Sequence, residues 1–448
     1  MEIISRFMWQ SGTEYGMMST EQKQDRRCDM RDLDAISGKS AFAFANRFDY
    51  VRESGTAAEA DAAREICAQI RALGLEPREE QFSFETYEVD RAELRVTAPY
   101  EKSYPVRAYG DCADTPTGGL TAPLVYVENG DRVSLTRVKG AVALICGRVR
   151  EDICRRLQEA GAVGFVSICG TPLEGPEDRL KLDYDLRGPA KGTMPGLYIH
   201  YDDAREMVER GAAVVHMTAE QRRVIRQSEN VLVHIPGRDL PEQVIALSAH
   251  YDSVPAGPGA YDNIAGVAIV WEVLRWFAAH PPRRTLECIF FGAEERGLCG
   301  SRDFVQRHGG SLDRYVIDLN VDLAGQTVGG TVLGVTADRS VCDTLEELLD
   351  RSGIGASIEN KVWASDSNTF AVNGVPALTI DRDGFGMHTR HDTVALLSPW
   401  ALERDARLLA YLAASLDEMD EMPFRREIPD AMGETLRAYF GGDPPTAK

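Results

Sequence analysis

The chain has 448 residues, a formal net charge of −20, 44% hydrophobic residues and 27% charged residues. This length allows two or three domains with at least one sizeable core, and the composition is ordinary for a globular protein. The acidic balance, without a basic stripe, argues against nucleic acid or an anionic membrane as partner, because both bind through concentrated Lys and Arg. No stretch stays apolar for the length of a membrane-spanning helix.

The start of the chain and its cysteines indicate the compartment. The first 30 residues have no apolar segment behind a basic one, so they do not predict a secretory signal. The nine cysteines are scattered without a CxxC pair, and several lie in apolar runs, where cysteine packs like a small hydrophobic residue. We therefore expect a cytoplasmic protein without a disulfide framework.

The first elements are one helix and a pair of strands. Residues 1–35 show no clear pattern, and we expect them to be poorly ordered. Residues 57–75 repeat apolar side chains at helical spacing and end near a glycine, which predicts a helix. Residues 76–99 alternate like strands, and residues 110–122 are rich in Gly, Asp, Thr and Pro, like a loop. Residues 36–110 would form the first part of the main domain.

Strands and helices then alternate at short spacing. The runs "GAVALICGR" and "AVGFVSICG" indicate strands on either side of the short helix "EDICRRLQEAG". A strand, a helix and another strand follow up to residue 220. We predict a smaller inserted α/β domain over residues 111–222, which is within the usual size of a domain.

The second part of the main domain, residues 223–420, contains fully apolar strands separated by helices. The strands are "VIALSAH", "TLECIFF", "RYVIDLNV" and "PALTI", and a long amphipathic helix covers residues 398–419. Asp262 and Asn263 stand at the start of another helix, where capping residues belong. This order predicts an α/β fold with a mostly parallel mixed sheet between helices. Residues 421–448 would be a C-terminal tail.

Residues able to bind a metal follow each of these strands. His250 ends the first strand, Glu294 and Glu295 follow the second, Asp322 follows the third, and His388 closes the loop after the fourth. The carboxyl ends of parallel strands meet at one edge of a sheet, so we expect these side chains to converge there. Imidazole nitrogens and carboxylate oxygens suit zinc, and one carboxylate can bridge to a second ion.

Five short motifs carry a family resemblance. They are "SAHYDS", "GAYDNIAG", "FFGAEERGLCGS", "NVDLAG" and "MHTRHDT", in this order. Over residues 40–105 and 225–418 the chain resembles the co-catalytic di-zinc aminopeptidase and glutamate carboxypeptidase family, which includes bacterial leucyl-aminopeptidase-like metallopeptidases. The inserted segment resembles a protease-associated domain. The resemblance implies the zinc exopeptidase fold.

The resemblance also assigns the metal ligands. It implies that His250 and Asp322 hold one zinc ion, that Glu295 and His388 hold the other, and that Asp262 bridges them. Two Zn²⁺ per chain are therefore the expected cofactors, and peptides are the expected substrates. The implied reaction is hydrolysis of the N-terminal peptide bond by a water that the metal activates.

Two further carboxylates would complete the catalytic set. Asp252 stands two residues after His250, so on extended backbone the two side chains share a face and the carboxylate can orient the imidazole. Glu294 would be the general base, which takes the proton of the attacking water and later passes it to the leaving amine.

Some positions depart from the family pattern or compete for a role. Met387 stands where the family usually has a tyrosine whose hydroxyl supports the tetrahedral intermediate, and methionine has no such donor. Tyr261 stands where a second aspartate is common. His391 is the rival of His388 as ligand, and the motif favours His388. Asp366 lies in a substrate-side loop and is a candidate for a direct role.

Three other functions stay open. A carboxypeptidase would need a cationic pocket for the terminal carboxylate of its substrate, to which Arg382 and Arg390 are candidate contributors. A glutaminyl-cyclase-like acyltransferase has the same fold with a single zinc. A non-catalytic binding module, like the transferrin receptors, would have lost ligands, and the intact set with Glu294 argues against it. Nothing in the sequence indicates an oligomeric state.

Overall fold

The computed structural model describes residues 30–181, 184–442 and 444–445 of the protein. Its helices are α1 (Gly38–Ala45), α2 (Ala57–Ala72), α3 (Glu151–Glu159), α4 (Tyr201–Glu209), α5 (Ala265–Ala279), α6 (Cys299–Arg307), α7 (Arg339–Ser352), α8 (Ser367–Ala371), α9 (Pro399–Glu418) and α10 (Asp430–Tyr439). Its strands are β1 (Pro77–Ala98), β2 (Lys102–Tyr104), β3 (Val106–Ala108), β4 (Leu120–Tyr126), β5 (Val142–Cys146), β6 (Gly164–Cys169), β7 (Gly196–His200), β8 (Val214–Ile235), β9 (Leu240–His250), β10 (Arg284–Phe291), β11 (Tyr315–Val321), β12 (Thr331–Thr336), β13 (Ser357–Asn360) and β14 (Ala377–Arg382).

The strands of the main domain form a mixed sheet in the order β13-β12-β14-β11-β9-β10-β8. The four central strands, β14, β11, β9 and β10, are parallel neighbours. The strands on either side of them, β12 and β8, run antiparallel to their inner neighbours. The predicted mostly parallel mixed sheet with helices around it is therefore confirmed. Its four central strands end at one edge, which is where the candidate ligands stand.

Helices cover both faces of this sheet. In β9, Ile245 and Leu247 belong to a buried hydrophobic cluster with residues of α1, α2, α5, α7 and α9. Val244 and Ala246 belong to a second cluster with residues of α6, α8 and α10. Successive strand residues point to opposite faces, so a strand covered on both sides has to be apolar throughout. This explains the continuous apolar runs that predicted the central strands.

The inserted unit has a hydrophobic core of its own and a small sheet. Strands β4, β5, β6 and β7 are parallel neighbours, and α3 and α4 pack beside them. Its core begins with Leu94 and Val96 of β1 and ends with Ala219 of β8. The two long strands pair with each other over their whole length and run through both units. The core therefore starts before the predicted boundary at residue 111, because β1 serves both units. Its assignment as a protease-associated domain stays a prediction.

Both ends of the described chain pack on the main domain. Residues 1–29 of the segment predicted to be poorly ordered lie outside the described residues. Its end is different from the prediction, because a 3₁₀ turn covers Met30–Leu33 and the Leu33 side chain is buried in the main core. Within the predicted C-terminal tail, α10 buries Leu436, and Phe440 follows it into the second cluster. Apolar side chains that reach the sheet thus hold both segments in place.

Candidate metal centre

The five predicted ligands converge at the carboxyl edge of the sheet. His250 is the last residue of β9, Asp322 directly follows β11, and Glu295 stands in the turn after β10. His388 lies in the loop after β14, and Asp262 comes shortly before α5. The convergence predicted from the strand ends is thus observed.

These residues form two groups that share Asp262. The Nε2 atom of His250 lies 3.2 Å from Asp262 Oδ1 and 3.4 Å from Asp322 Oδ1. The Nε2 atom of His388 lies 3.0 Å from Asp262 Oδ2 and 3.3 Å from Glu295 Oε2. Each imidazole therefore faces two carboxylate oxygens, and Asp262 offers one oxygen to each group. This is the arrangement that a carboxylate bridge between two metal ions needs.

The electrostatics of the two groups also fit cations. Glu295 raises the pKa of His388 to about 11 against the opposing effect of desolvation, with Asp262 adding to the shift. The Oε1 atom of Glu295 is buried and has no hydrogen-bond partner among the described residues. Buried carboxylates are costly unless they are paired or bind a metal. Nitrogen and oxygen donors at this spacing suit zinc or a similar divalent ion.

Asp262 reaches the site because α5 begins later than the sequence suggested. Asp262 and Asn263 have non-helical backbone angles, and the helix starts at Ala265. Asn263 still acts as a cap, since its Oδ1 accepts a hydrogen bond of 3.2 Å from the amide of Gly266. The capping role thus belongs to Asn263, and Asp262 is available to both metal groups.

Asp252 connects the two halves of the centre. Its Oδ1 lies 3.4 Å from Nδ1 of His250, on the side of the ring away from the other carboxylates. The same carboxylate accepts the backbone amides of Glu294 at 3.0 Å and Glu295 at 3.2 Å. The Ser54 hydroxyl donates to its Oδ2 at 2.7 Å. Asp252 therefore positions a ligand and the glutamate turn together, and we class it as a positioning residue.

Replacing Asp252 by asparagine should weaken zinc binding by about ten- to a hundredfold, the usual effect of losing a carboxylate behind a metal-bound histidine. The new amide group would also face the donors that now bind the carboxylate. Zinc titration against a competing chelator measures the change, with circular dichroism as the check on folding. Asp61→Asn is the matched control, because Asp61 is an exposed carboxylate on α2. Unchanged zinc affinity in Asp252→Asn would contradict the positioning role.

Glu294 stands beside both metal groups on a turn whose backbone is hydrogen-bonded to the buried Glu59. The Ala293 amide donates to Glu59 Oε1 at 3.0 Å, and the Ser228 hydroxyl donates to the same oxygen at 2.8 Å. Desolvation raises the pKa of Glu294 well above its ordinary value, and Glu295 adds to this, although His250 opposes it. A carboxylate with a raised pKa, next to a metal site, is suited to accept and return a proton.

Two positioning residues were missed by the sequence reasoning. The Ser365 hydroxyl donates to Asp322 Oδ2 at 2.6 Å. Asp392 accepts the amide of Tyr261 at 2.6 Å and that of Asp262 at 3.1 Å. Asp392 lies within the quoted motif "MHTRHDT", so the motif already contained this signal. Ser365 had no signal of its own, because serine is common in loops.

The structure also places the alternative ligand His391, the family departure Met387 and the candidate Asp366. His391 does not join the metal groups, since its Nε2 lies 3.0 Å from Asp178 of the inserted unit. Met387 is 46% exposed on the rim beside His388. Asp366 is fully buried with no hydrogen-bond partner at either oxygen among the described residues, and desolvation raises its pKa to about 7. A direct role for Asp366 therefore stays a prediction.

The two arginines that we considered for a carboxylate pocket are engaged elsewhere. Arg382 is buried and donates to the carbonyls of Gln326 and Thr327. Arg390 binds Asp178 of the inserted unit, with Nε 2.5 Å from Oδ1. Both contacts hold loops around the centre, so the structure does not support these arginines as substrate ligands.

Other charged side chains border the centre, and three of them come from the inserted unit. Arg148, Asp185 and Arg187 line a crevice together with Glu295, Arg296 and His388 of the main domain. The sequence offered no signal for them, because the loop that carries Asp185 and Arg187 lies about 60 residues before the first of the metal motifs. The inserted unit therefore contributes side chains to the site without contributing a predicted metal ligand.

Two histidine–carboxylate groups that share one carboxylate, with a glutamate beside them, are the centre of a metal-dependent hydrolase. Residues 230–413, which contain every predicted ligand, match the model of peptidase family M28, and this part of the chain belongs to that family. The family predicted from the motifs is thereby confirmed.

Similar proteins agree with this assignment. Aminopeptidase YwaD of Bacillus subtilis is 27% identical over 342 residues, which cover 75% of this chain and 69% of that protein. Carboxypeptidase Q of Mus musculus is 26% identical over 339 residues, 70% of this chain and 71% of that protein. The solved structure of a zinc aminopeptidase from Bacillus subtilis has a TM-score of 0.72 at 21% identity, over 89% of this chain and 99% of that chain. The last likeness concerns the fold.

Proposed function

We propose that the protein is an exopeptidase with two zinc ions per chain that hydrolyses the N-terminal peptide bond of peptides. The observation that carries the proposal is the position of Asp262 between two histidine–carboxylate groups. One of its oxygens faces His250 and the other faces His388. The names of the relatives support peptide hydrolysis, and two of the three are called aminopeptidases. The protein would thus be a metallo-aminopeptidase.

The residues of the chain divide the work. His250 and Asp322 would hold one zinc ion, Glu295 and His388 the other, and Asp262 both. When bound, the ions supply Lewis-acid activation of a water and of the scissile carbonyl. Glu294 takes the proton of the attacking water and returns it to the nitrogen of the leaving residue, so that the amine departs neutral. Asp252 holds the backbone of Glu294 and the imidazole of His250 in place for this proton transfer.

The alternatives receive less support from the geometry. A single-zinc acyltransferase would not need the second group, which has a histidine and a carboxylate of its own in addition to Asp262. A non-catalytic module would not need Glu294 beside an intact ligand set. A carboxypeptidase is the runner-up, since one relative has that name. It would act through the same metal centre.

A peptide panel with metal analysis tests the proposal. Purified protein supplied with zinc should bind two ions per chain, and a peptide with a free N-terminus should be cut far faster than its N-acetylated form. The carboxylate-rich rim explains the second expectation, because a carboxylate not engaged by metal can hold the substrate's ammonium group. Mass spectrometry of the products identifies the bond that is cut. Equal rates on free and acetylated peptides would contradict the aminopeptidase assignment, and protein without bound metal would contradict the mechanism.

In the described part of the chain, no helix combines the length and the apolar character needed to cross a membrane. The cytoplasmic location and the absence of nucleic-acid and membrane partners stay predictions from the sequence.

A further inference from the structure

A buried row of polar side chains runs along one face of the sheet and ends at the predicted metal ligand Asp322. The row begins at Asp318 of β11, whose Oδ1 lies 2.8 Å from Oγ of Ser248 on β9. The same Ser248 Oγ lies 3.1 Å from Oδ1 of Asn320, and Nδ2 of Asn320 lies 2.7 Å from Oγ of Ser365. The Ser365 hydroxyl donates to Asp322 Oδ2 at 2.6 Å. These five residues form the Asp318 network.

The number of hydrogens in the Asp318 network assigns one of them to Asp318. Ser365 gives its only hydroxyl hydrogen to Asp322, so its 2.7 Å contact with Asn320 needs the amide nitrogen as donor. The amide oxygen of Asn320 therefore faces Ser248 and accepts the hydrogen of the Ser248 hydroxyl. Ser248 then has no hydrogen left for its 2.8 Å contact with Asp318, so Asp318 is the donor there. An aspartate that donates is a neutral carboxyl group.

The surroundings of Asp318 also favour the neutral form. Its side chain is fully buried, and its Oδ2 atom has no hydrogen-bond partner among the described residues. A buried carboxylate with an unpaired oxygen is costly, and protonation removes its charge. Desolvation raises the pKa of Asp318 well above its ordinary value; Ser248 opposes this shift and the charge of Asp366 adds to it. The burial and the hydrogen-bond geometry therefore agree.

The Asp318 network binds one oxygen of Asp322 and leaves the other to the metal. Oδ2 accepts from Ser365, whereas Oδ1 lies 3.4 Å from Nε2 of His250. Asp322 belongs to the metal group of His250 and is not a member of the group that contains Glu295 and His388. A hydrogen bond to a ligating carboxylate orients it and tunes the affinity for the metal. The network therefore acts on one of the two metal groups.

We propose that Asp318, as a neutral carboxyl group, anchors this network and that the network sets the affinity of the zinc site of His250 and Asp322 but not that of the other site. Asp318 would thus be a positioning residue. The inference rests on the proposed two-zinc function and adds an unequal control of its two sites. An ionised Asp318 would not serve, because it would take the Ser248 hydrogen away from Asn320 and break the network.

Four variants test the proposal. Asp318→Asn keeps a hydrogen-bond donor for Ser248, whereas Asp318→Leu removes the donor at similar size. Ser248→Ala interrupts the network at its next member, so that the test does not depend on the folding of the leucine variant. The matched control is Thr344→Val, which removes a buried hydroxyl of α7 that donates to the carbonyl of Ser340. Circular dichroism checks the folding of each variant.

Zinc titration of the wild type against a competing chelator should show two binding steps. In Asp318→Leu and Ser248→Ala one step should weaken by about tenfold, the lower end of the effect of losing a partner behind a metal ligand. The other step should not change, and Asp318→Asn and Thr344→Val should keep both steps. Combined with His388→Ala, Asp318→Leu should weaken the one step that remains. Combined with His250→Ala, it should leave the remaining step unchanged.

The protonation of Asp318 has a readout that needs no zinc. The C=O stretch of a neutral carboxyl group absorbs apart from the stretches of a carboxylate. The infrared difference spectrum between the wild type and Asp318→Asn at neutral pH should therefore contain the band of one neutral carboxyl group. The same difference spectrum for Asp61→Asn, an exposed aspartate of α2, should contain carboxylate bands only.

The possible outcomes separate this inference from the proposed function. Two zinc steps that Asp318→Leu and Ser248→Ala leave unchanged, or weaken equally, would overturn the inference while the two-zinc function stands. A weakened step in Asp318→Asn, or carboxylate bands in its difference spectrum, would identify Asp318 as ionised and would overturn the inference as well. If the wild-type protein supplied with zinc binds fewer than two ions, the proposed function and the inference both fail.

Discussion

Replacing Glu294 by glutamine should lower turnover by about a hundredfold or more while the protein keeps its zinc, because general-base catalysis contributes on this scale. Glutamine preserves the size of the side chain but cannot accept the proton of the attacking water. The backbone amides of residues 294 and 295 would still bind Asp252, so the ligand Glu295 should stay in place. Steady-state kinetics on a peptide with a free N-terminus, together with metal analysis of the same preparation, measures both effects.

The control for this experiment is Glu347→Gln, an exposed carboxylate of α7 with 73% of its side chain accessible. It should leave rate and zinc content unchanged. If Glu294→Gln retains activity within a few fold, the base is another residue. Asp366 would then be the first candidate, because it is buried near the centre and its pKa of about 7 suits proton transfer at neutral pH.

Replacing Arg52 by methionine should destabilise the protein by about 4 kcal/mol, a loss at the upper end for one substitution. The Arg52 side chain is fully buried and donates to five backbone carbonyls, those of Phe48, Tyr50, Tyr251, Pro258 and Gly259. Methionine fills similar space but leaves these carbonyls buried without a donor. Desolvation lowers the pKa of Arg52 to about 10, so the guanidinium stays charged at neutral pH and makes strong hydrogen bonds.

Three of these carbonyls belong to the segment between His250 and Asp262, so the substitution should also reduce zinc binding. Urea denaturation with and without zinc, and zinc titration, measure the two effects. Arg47→Gln is the matched control, since Arg47 is half exposed and its ion pair with Glu65 is superficial; its effect should stay within about 0.5 kcal/mol. A similar small effect in Arg52→Met would show that the segment is held by its other contacts.

In the inserted unit, local sequence patterns predicted the individual elements but not the extent of the hydrophobic core. Its strands and helices were predicted from local patterns and are observed. The extent of its core was not, because β1 and β8 pass from one unit to the other without any break in their alternation. The same holds for the ends of the chain, where the burial of Leu33 and Leu436 depends on surfaces far away in the sequence.

The sequence by itself determined the sheet and the convergence of the candidate metal ligands at one of its edges. Each ligand except Asp262 follows an apolar strand, and parallel strands bring their carboxyl ends to one edge, so the order of elements already places His250, Glu295, Asp322 and His388 together. Asp262 was found through its motif. These features are local, since the apolar period and the motif lie within a few residues of the ligand they identify.

Only the tertiary structure decided how the centre is held and what borders it. Arg52 binds the carbonyl of Tyr251 across 199 positions of the chain, and Asp392 binds the amide of Tyr261 across 131. Arg148 and Arg187 face the centre from a separate unit, while Arg382 and Arg390, which are nearer in sequence, are used for loops. A hydrogen bond between two polar side chains joins one donor and one acceptor. It therefore leaves no repeating pattern in the sequence from which the partner could be predicted. Folding brings the donor and the acceptor together, and the sequence around either group does not indicate the partner.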